Sequence, residues 1–237
     1  MSRRAHIQGW VLPFAIIVAG VLGVVAHRLT SPEPILDYPP ATHGFRLALI
    51  LADRGWRVAN IQGLTTRLAE AGVPSVVVDA GFVPTTPTSA AASIDTLLAS
   101  RLARWDRQRL FVIGVGRGAS LAPFIGNRLR ADLRQRVDGI VLEGLESRVS
   151  FRHRWNDRAG RPRPTGFPIL PELERLRGIP TLCVEGRRAD DFCTSLDPSL
   201  MHREAPLRPI GGEGDGGALG RRVLSLGLEA RPLLGRP

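Results

Sequence analysis

Between Arg109 and Ser120 the chain reads RLFVIGVGRGAS, an apolar run that enters the glycine-spaced turn Gly114-Val115-Gly116-Arg117-Gly118 and leaves it with helical spacing. Few local structures accept such a segment. It fits a buried strand that turns sharply into a helix, with glycines two before and two after a central position because Cβ atoms there would clash. In the catalytic form of this turn, G-x-S-x-G, the central residue is a serine whose hydroxyl attacks a carbonyl. Here the central residue is Gly116, so the spacing predicts the turn and removes the nucleophile.

The rest of the chain alternates in the way such a turn requires. Arg46–Ala52, Ser75–Asp79, Leu110–Ile113, Asp138–Leu142 and Pro180–Glu185 are short apolar strand candidates. Between and after them lie helical patterns at Arg57–Gly72, Ser89–Trp105, the stretch from the turn to about Arg130, and Gly217–Leu226. Alternating strands and helices of these lengths predict an α/β domain, a mostly parallel sheet covered by helices on both faces, and the glycine-spaced turn resembles the nucleophile elbow of the α/β-hydrolases. Ligands in such folds gather at the carboxyl ends of the strands. The domain is expected over residues 45–229, after a proline-rich linker at 30–44 and before a tail at 230–237. No internal repeat is visible.

Residues 1–29 carry an address. Arg3 and Arg4 precede Trp10–Ala26, 17 residues without a charge. That length reaches the lower limit of a membrane span, and Val24-x-Ala26 also offers the small residues of a cleavage site. Both readings, a cleaved signal peptide and a retained anchor in the inner membrane through residues 10–26, place the domain in the bacterial periplasm. Ser2-Arg3-Arg4 bears a faint likeness to a twin-arginine signal, from which His6-Ile7-Gln8 departs. The formal charge is +10, carried entirely by arginine, since the chain has no lysine. The arginines are scattered without a basic run or a nucleic-acid module, which excludes nucleic acid as the main partner. The two cysteines, Cys183 and Cys193, either close a loop as a disulfide in an oxidising compartment or stand as one strand thiol and one loop thiol. Their spacing and the lack of a nearby histidine exclude a metal site, and no cofactor is expected.

A hydrolase of this class needs a nucleophile, an acid and a histidine, in that chain order. Asp190 and Asp191 follow the Pro180–Glu185 strand, where the acid belongs; a solvated pair capping a turn is the alternative. The histidine is missing. The five histidines are His6, His27, His43, His153 and His202, and none falls in the loop Ile210–Gly216 before the last helix. Ser120, four residues past Gly116, reads as polar packing or capping rather than a substitute nucleophile. Arg117 projects from the turn beside a helix start that favours anions, which makes an anion contact reasonable beside the plainer reading of a surface arginine. Gly114-Val115-Gly116-Arg117-Gly118-Ala119 also matches G-x-G-x-x-A, a dinucleotide fingerprint with Glu143 ending the next strand. Two strand–helix units precede it, however, where the fingerprint normally opens the first.

From Leu47 onward the chain resembles the VirJ/AcvB family of exported bacterial virulence-associated proteins. Asp53-Arg54-Gly55-Trp56-Arg57 resembles that family's D-G-G-W-R after the first strand. Gly114–Ala119 with Pro123-Phe124 and Asn127-Arg128-Leu129 resembles its G-Y-S-F-G-A-D-x-x-P-F…N-R-L. Ile169–Glu172, Pro180–Val184 and Asp190–Cys193 follow its later segments, both cysteines included, and Gly211-Gly212 resembles the G-G that the family continues with histidines. The resemblance implies an exported α/β-hydrolase, in the AcvB-like branch one acting on aminoacylated phosphatidylglycerol. The departures are specific. The family serine falls on Gly116, the following aspartate on Ser120, the histidine on Glu213 or Gly214, and one oxyanion-loop glycine on Arg54. Loss of nucleophile and base forfeits roughly 10⁴–10⁶ in rate, by analogy with triad knockouts.

The expectation is a non-catalytic protein that binds an anionic lipid headgroup or a protein partner at the old active-site edge, with Arg54 and Arg117 as anion contacts. The alternative is a hydrolase rebuilt around Asp53, Glu213 or Asp215, since a carboxylate acts as a base where burial raises its pKa. A dinucleotide binder is the third reading.

Overall fold

The computed structural model describes residues 35–52, 58–151, 166–186, 192–207 and 214–229. Contacts divide the chain into Met1–Pro34 and Ile35–Pro237, and the fold below is that of the second unit. Its elements are β1 (Ile35–Tyr38), β2 (Arg46–Ala52), α1 (Val58–Glu70), β3 (Ser75–Asp79), α2 (Pro87–Arg104), β4 (Arg109–Val115) and α3 (Arg117–Arg128). There follow α4 (Ala131–Arg134), β5 (Val137–Glu143), β6 (Arg148–Val149), β7 (Phe167–Pro168), α5 (Leu170–Arg175) and β8 (Thr181–Val184). A 3-10 turn (Phe192–Ser195), β9 (His202–Glu204) and α6 (Gly214–Glu229) complete the order.

Seven strands form one sheet in the order β1-β3-β2-β4-β5-β8-β9. Every pairing is parallel except that of β1 with β3. Strand alternation feeds two cores. Leu47, Leu49, Leu51, Leu110, Val112, Ile140 and Leu142 pack on the side of α2, α3 and α5. Ala48, Ile50, Ala52, Phe111, Ile113, Val115 and Val141 pack on the side of α1 and α6. A strand buried on both faces has no polar position to spare, which is why β2 and β4 read as unbroken apolar runs. The expected doubly covered parallel sheet is what the chain builds.

Several boundaries differ from the sequence reading, three of them for a clear physical reason. The linker expected at 30–44 contains β1, whose Ile35–Tyr38 pairs with Val78–Ser75 at the sheet edge. Prolines on either side of four residues suggest a linker, yet proline is compatible with an edge strand, where one row of backbone groups needs no partner. Asp37 then ties the strand to α2, accepting from Arg101 at 2.9 Å and Arg104 at 3.0 Å. Helix α2 begins at Pro87, not Ser89, because Thr86 caps it and proline suits the first helical position. Helix α6 begins at Gly214, three residues early, where glycine is needed for close packing: a Cβ on Gly216 would lie 1.8 Å from the Asn60 carbonyl oxygen of α1.

Candidate functional site

The carboxyl ends of β2, β4, β5 and β8 share one edge, and the Gly114–Gly118 turn stands near its middle, between β4 and α3. The turn is built as the glycine spacing predicts. Gly116 adopts φ 56° and ψ −122°, a left-handed conformation that L side chains rarely accept, and its N–H donates to the Glu143 carbonyl at 2.8 Å. A Cβ on Gly114 would meet the Ala119 Cα at 2.5 Å, and one on Gly118 would meet the Leu51 carbonyl oxygen at 1.8 Å. Both flanking glycines are therefore required by the backbone that crosses them. The apex presents no side chain at the point where a nucleophile would stand.

Arg117 is 6% exposed, and its Nη2 donates to the Ser150 carbonyl at 2.7 Å. That contact gives it a structural task that the sequence reading of a surface or anion-binding arginine did not include: it holds the segment after β6 against the turn. Ser120 is fully buried and its hydroxyl accepts the Glu146 N–H at 3.1 Å, so it acts as polar packing. Further along α3, Phe124 meets Phe151 and Phe167 edge to face, with ring centroids 5.5 and 5.9 Å apart. The β6–β7 pair, in register at Val149 and Phe167, supplies Phe167 to this aromatic group, and Phe151 follows β6.

Acids converge on the other flank. Glu143, Glu185 and Asp215 line one cleft with Pro206 and Leu207. Glu143 ends β5 and caps Gly116 through its backbone; Glu185 follows β8; Asp215 lies in the first turn of α6, where a catalytic histidine would be sought. Of the three carboxylates proposed as a base, the described residues include Asp215 alone; Asp53 and Glu213 lie outside them, as do Arg54 and the acid candidates Asp190 and Asp191. Glu185 was missed in the sequence. Its signal is an acid closing a buried strand, the same signal as Glu143.

Two histidines are described, and neither approaches the turn along its strand. His43 precedes β2 and is exposed, and His202 is the first residue of β9. His202 opens the last strand, opposite Leu182, and its imidazole lies 3.5 Å from Glu204. The cysteines form the disulfide, not two thiols. Cys183 of β8 and Cys193 of the 3-10 turn are bonded, both fully buried, with Cα atoms 5.8 Å apart. Among the described residues no cluster of His, Cys, Asp or Glu could hold a metal ion, and no helix is long and apolar enough to cross a membrane. The apolar run 10–26 lies outside those residues.

A family model described as bacterial virulence protein (VirJ) matches residues 46–217. No curated protein sequence matches the chain. Among solved structures, the esterase domain of a Rhodothermus marinus protein superposes with a TM-score of 0.56 at 10% identity, covering 84% of this chain and 91% of that one. Est1E from Butyrivibrio proteoclasticus superposes with a TM-score of 0.55 at 10% identity, over 81% and 93% of the two chains. MenH from S. aureus gives 0.55 at 12% identity, over 84% and 100%. At these identities the likeness concerns the fold, which is that of the α/β-hydrolases.

Proposed function

The chain belongs to the VirJ family of bacterial virulence proteins, and from that premise we propose that it is a non-catalytic member, binding a ligand at the edge where its fold would otherwise catalyse. The observation that carries this reading is the apex of the turn: Gly116 keeps the strained backbone of a nucleophile's position and offers no nucleophile. Neither described histidine lies at the carboxyl edge, and the sequence Ile210–Gly216 contains none. Acyl transfer by a serine needs both groups.

The ligand class follows from the groups at the edge. Arg54 is the proposed anion contact, with Arg117 bracing the segment over the turn rather than reaching outward. Glu143, Glu185 and Asp215 favour a cationic group nearby. A headgroup carrying a phosphate and an ammonium satisfies both, as in aminoacylated phosphatidylglycerol; a protein partner with mixed charges is the other occupant. Exported placement, with residues 10–26 as inner-membrane anchor or cleaved signal, belongs to the same proposal. The test is calorimetric titration of the purified chain with the water-soluble headgroup lysyl-glycerophosphoglycerol. Binding that weakens in Arg54→Gln and in Asp215→Asn supports the proposal, and no binding, or binding indifferent to both changes, refutes it.

A second reading rests on Asp215 lying beside Glu143 and Glu185 next to the turn. In it a carboxylate activates water and the site is a rebuilt hydrolase, which would show as ester turnover abolished by Asp215→Asn. The dinucleotide reading loses its setting, since the glycines follow β4, the third parallel strand in chain order, and form a sharp elbow.

A further inference from the structure

At the opposite edge of the sheet lies a groove of about 520 Å³, lined by Arg109, Arg134, Asp138, Arg177 and the turn Gly178–Pro180, with Ala131, Gln135 and Val137. This volume is in the range that small ligands occupy. It is remote from the elbow. Arg109 opens β4 and Val115 closes it, which at about 3.3 Å per residue separates the two sites by about 20 Å.

The groove is basic by construction. Asp138 is the one acid among its lining residues, and it is already shared: Arg109 Nε donates to it at 2.6 Å and Arg46 Nε at 2.8 Å. Arg134 is held by neutral partners, its Nη2 donating to the Arg175 carbonyl at 3.0 Å and its Nη1 to the Asn127 carbonyl at 3.4 Å. Carbonyl contacts orient a guanidinium without cancelling its charge. Arg177 is exposed at the rim and within electrostatic reach of Asp197. Three arginines thus come from three separate elements, the start of β4, helix α4 and the α5–β8 turn, and face one space holding a single, doubly paired acid.

We infer that this groove is a second ligand site, one that takes a phosphate group. Guanidinium forks match phosphate oxygens two at a time, and preorganised ones lose little on binding. Both a phosphate monoester and the phosphodiester of a lipid headgroup supply that chemistry. The inference does not depend on what the elbow edge binds.

Titration calorimetry on the full chain tests it, with three probes: inorganic phosphate, glycerol 3-phosphate and glycerophosphoglycerol. Saturable binding of at least one probe is expected, weakened tenfold or more in both Arg177→Glu and Arg134→Gln. Preference for glycerol 3-phosphate assigns the site to free phosphate monoesters, and preference for glycerophosphoglycerol assigns it to a lipid headgroup. Arg177 is exposed, so Arg177→Glu keeps the test readable should Arg134→Gln fail to fold. No saturable binding of any probe, or binding that Arg177→Glu leaves intact, overturns the inference.

Discussion

A serine at Gly116 restores a hydroxyl and nothing else. The backbone there lies at φ 56° and ψ −122°, so the added side chain costs about 1–3 kcal/mol of strain. With no histidine in the sequence Ile210–Gly216, the hydroxyl stays protonated and poorly nucleophilic. Gly116→Ser is therefore expected to lower stability modestly in chemical denaturation and to leave ester hydrolysis at the uncatalysed rate. Turnover well above that rate would mean another group in this chain serves as base. Gly118→Ala should be the harsher change, about 3 kcal/mol or more, because its Cβ would lie 1.8 Å from the Leu51 carbonyl oxygen and neither backbone can yield. A Gly118→Ala protein that melts with the wild type would contradict the close crossing of β2 and α3.

At the scale of elements, the helix that leaves the turn is stitched to α5 by one buried carboxylate. Glu172 accepts from Arg128 at 2.9 Å, Asn127 at 2.8 Å and Arg175 at 2.8 Å. Burial alone would raise its pKa, but the hydrogen bonds from Arg128 and Asn127, with the charges of Arg128 and Arg175, outweigh it and hold the carboxyl below its ordinary 4.5. A carboxyl depressed in the folded state contributes stability above its unfolded pKa and loses it as pH falls through the folded value. Acid titration of the melting temperature should show this loss in the wild type and a shallower one in Glu172→Gln. The same variant should lose about 2 kcal/mol at neutral pH, since Arg128 and Arg175 are left without their partner. Identical acid profiles would mean that Glu172 contributes nothing to the loss of stability in acid. The elements themselves were largely legible: β2 and β3 fall on the expected residues because unbroken apolar runs between glycine and proline signals leave no other reading. Strands β1 and β9 and the β6–β7 pair were not, since two to four residues carry too little periodicity and their pairing is decided by distant partners. The site was legible as a turn without its serine and histidine; the convergence of Glu143, Glu185 and Asp215 was not, because it comes from three elements far apart in sequence.

Across the whole molecule, the two edges of the sheet differ in charge, with three acids gathered in one cleft at the carboxyl edge and arginines lining the groove at the amino edge. The disulfide closes the return from β8 to the 3-10 turn with a sequence separation of 10 residues. Loop entropy assigns it about 2–3 kcal/mol, or about 4–12 °C in melting temperature for a domain of this size. Replacing both cysteines with alanine should produce a shift in that range by calorimetry, and no shift would mean that core packing alone holds the segment. Whether a turn without its serine still catalyses is decided by incubating the purified chain with lysyl-phosphatidylglycerol and simple esters, beside a VirJ-family protein with serine and histidine intact. Hydrolysis indistinguishable from the protein-free control is the predicted result. Turnover above that control that disappears in Asp215→Asn would contradict it, and would show that the fold has rebuilt its chemistry around a carboxylate.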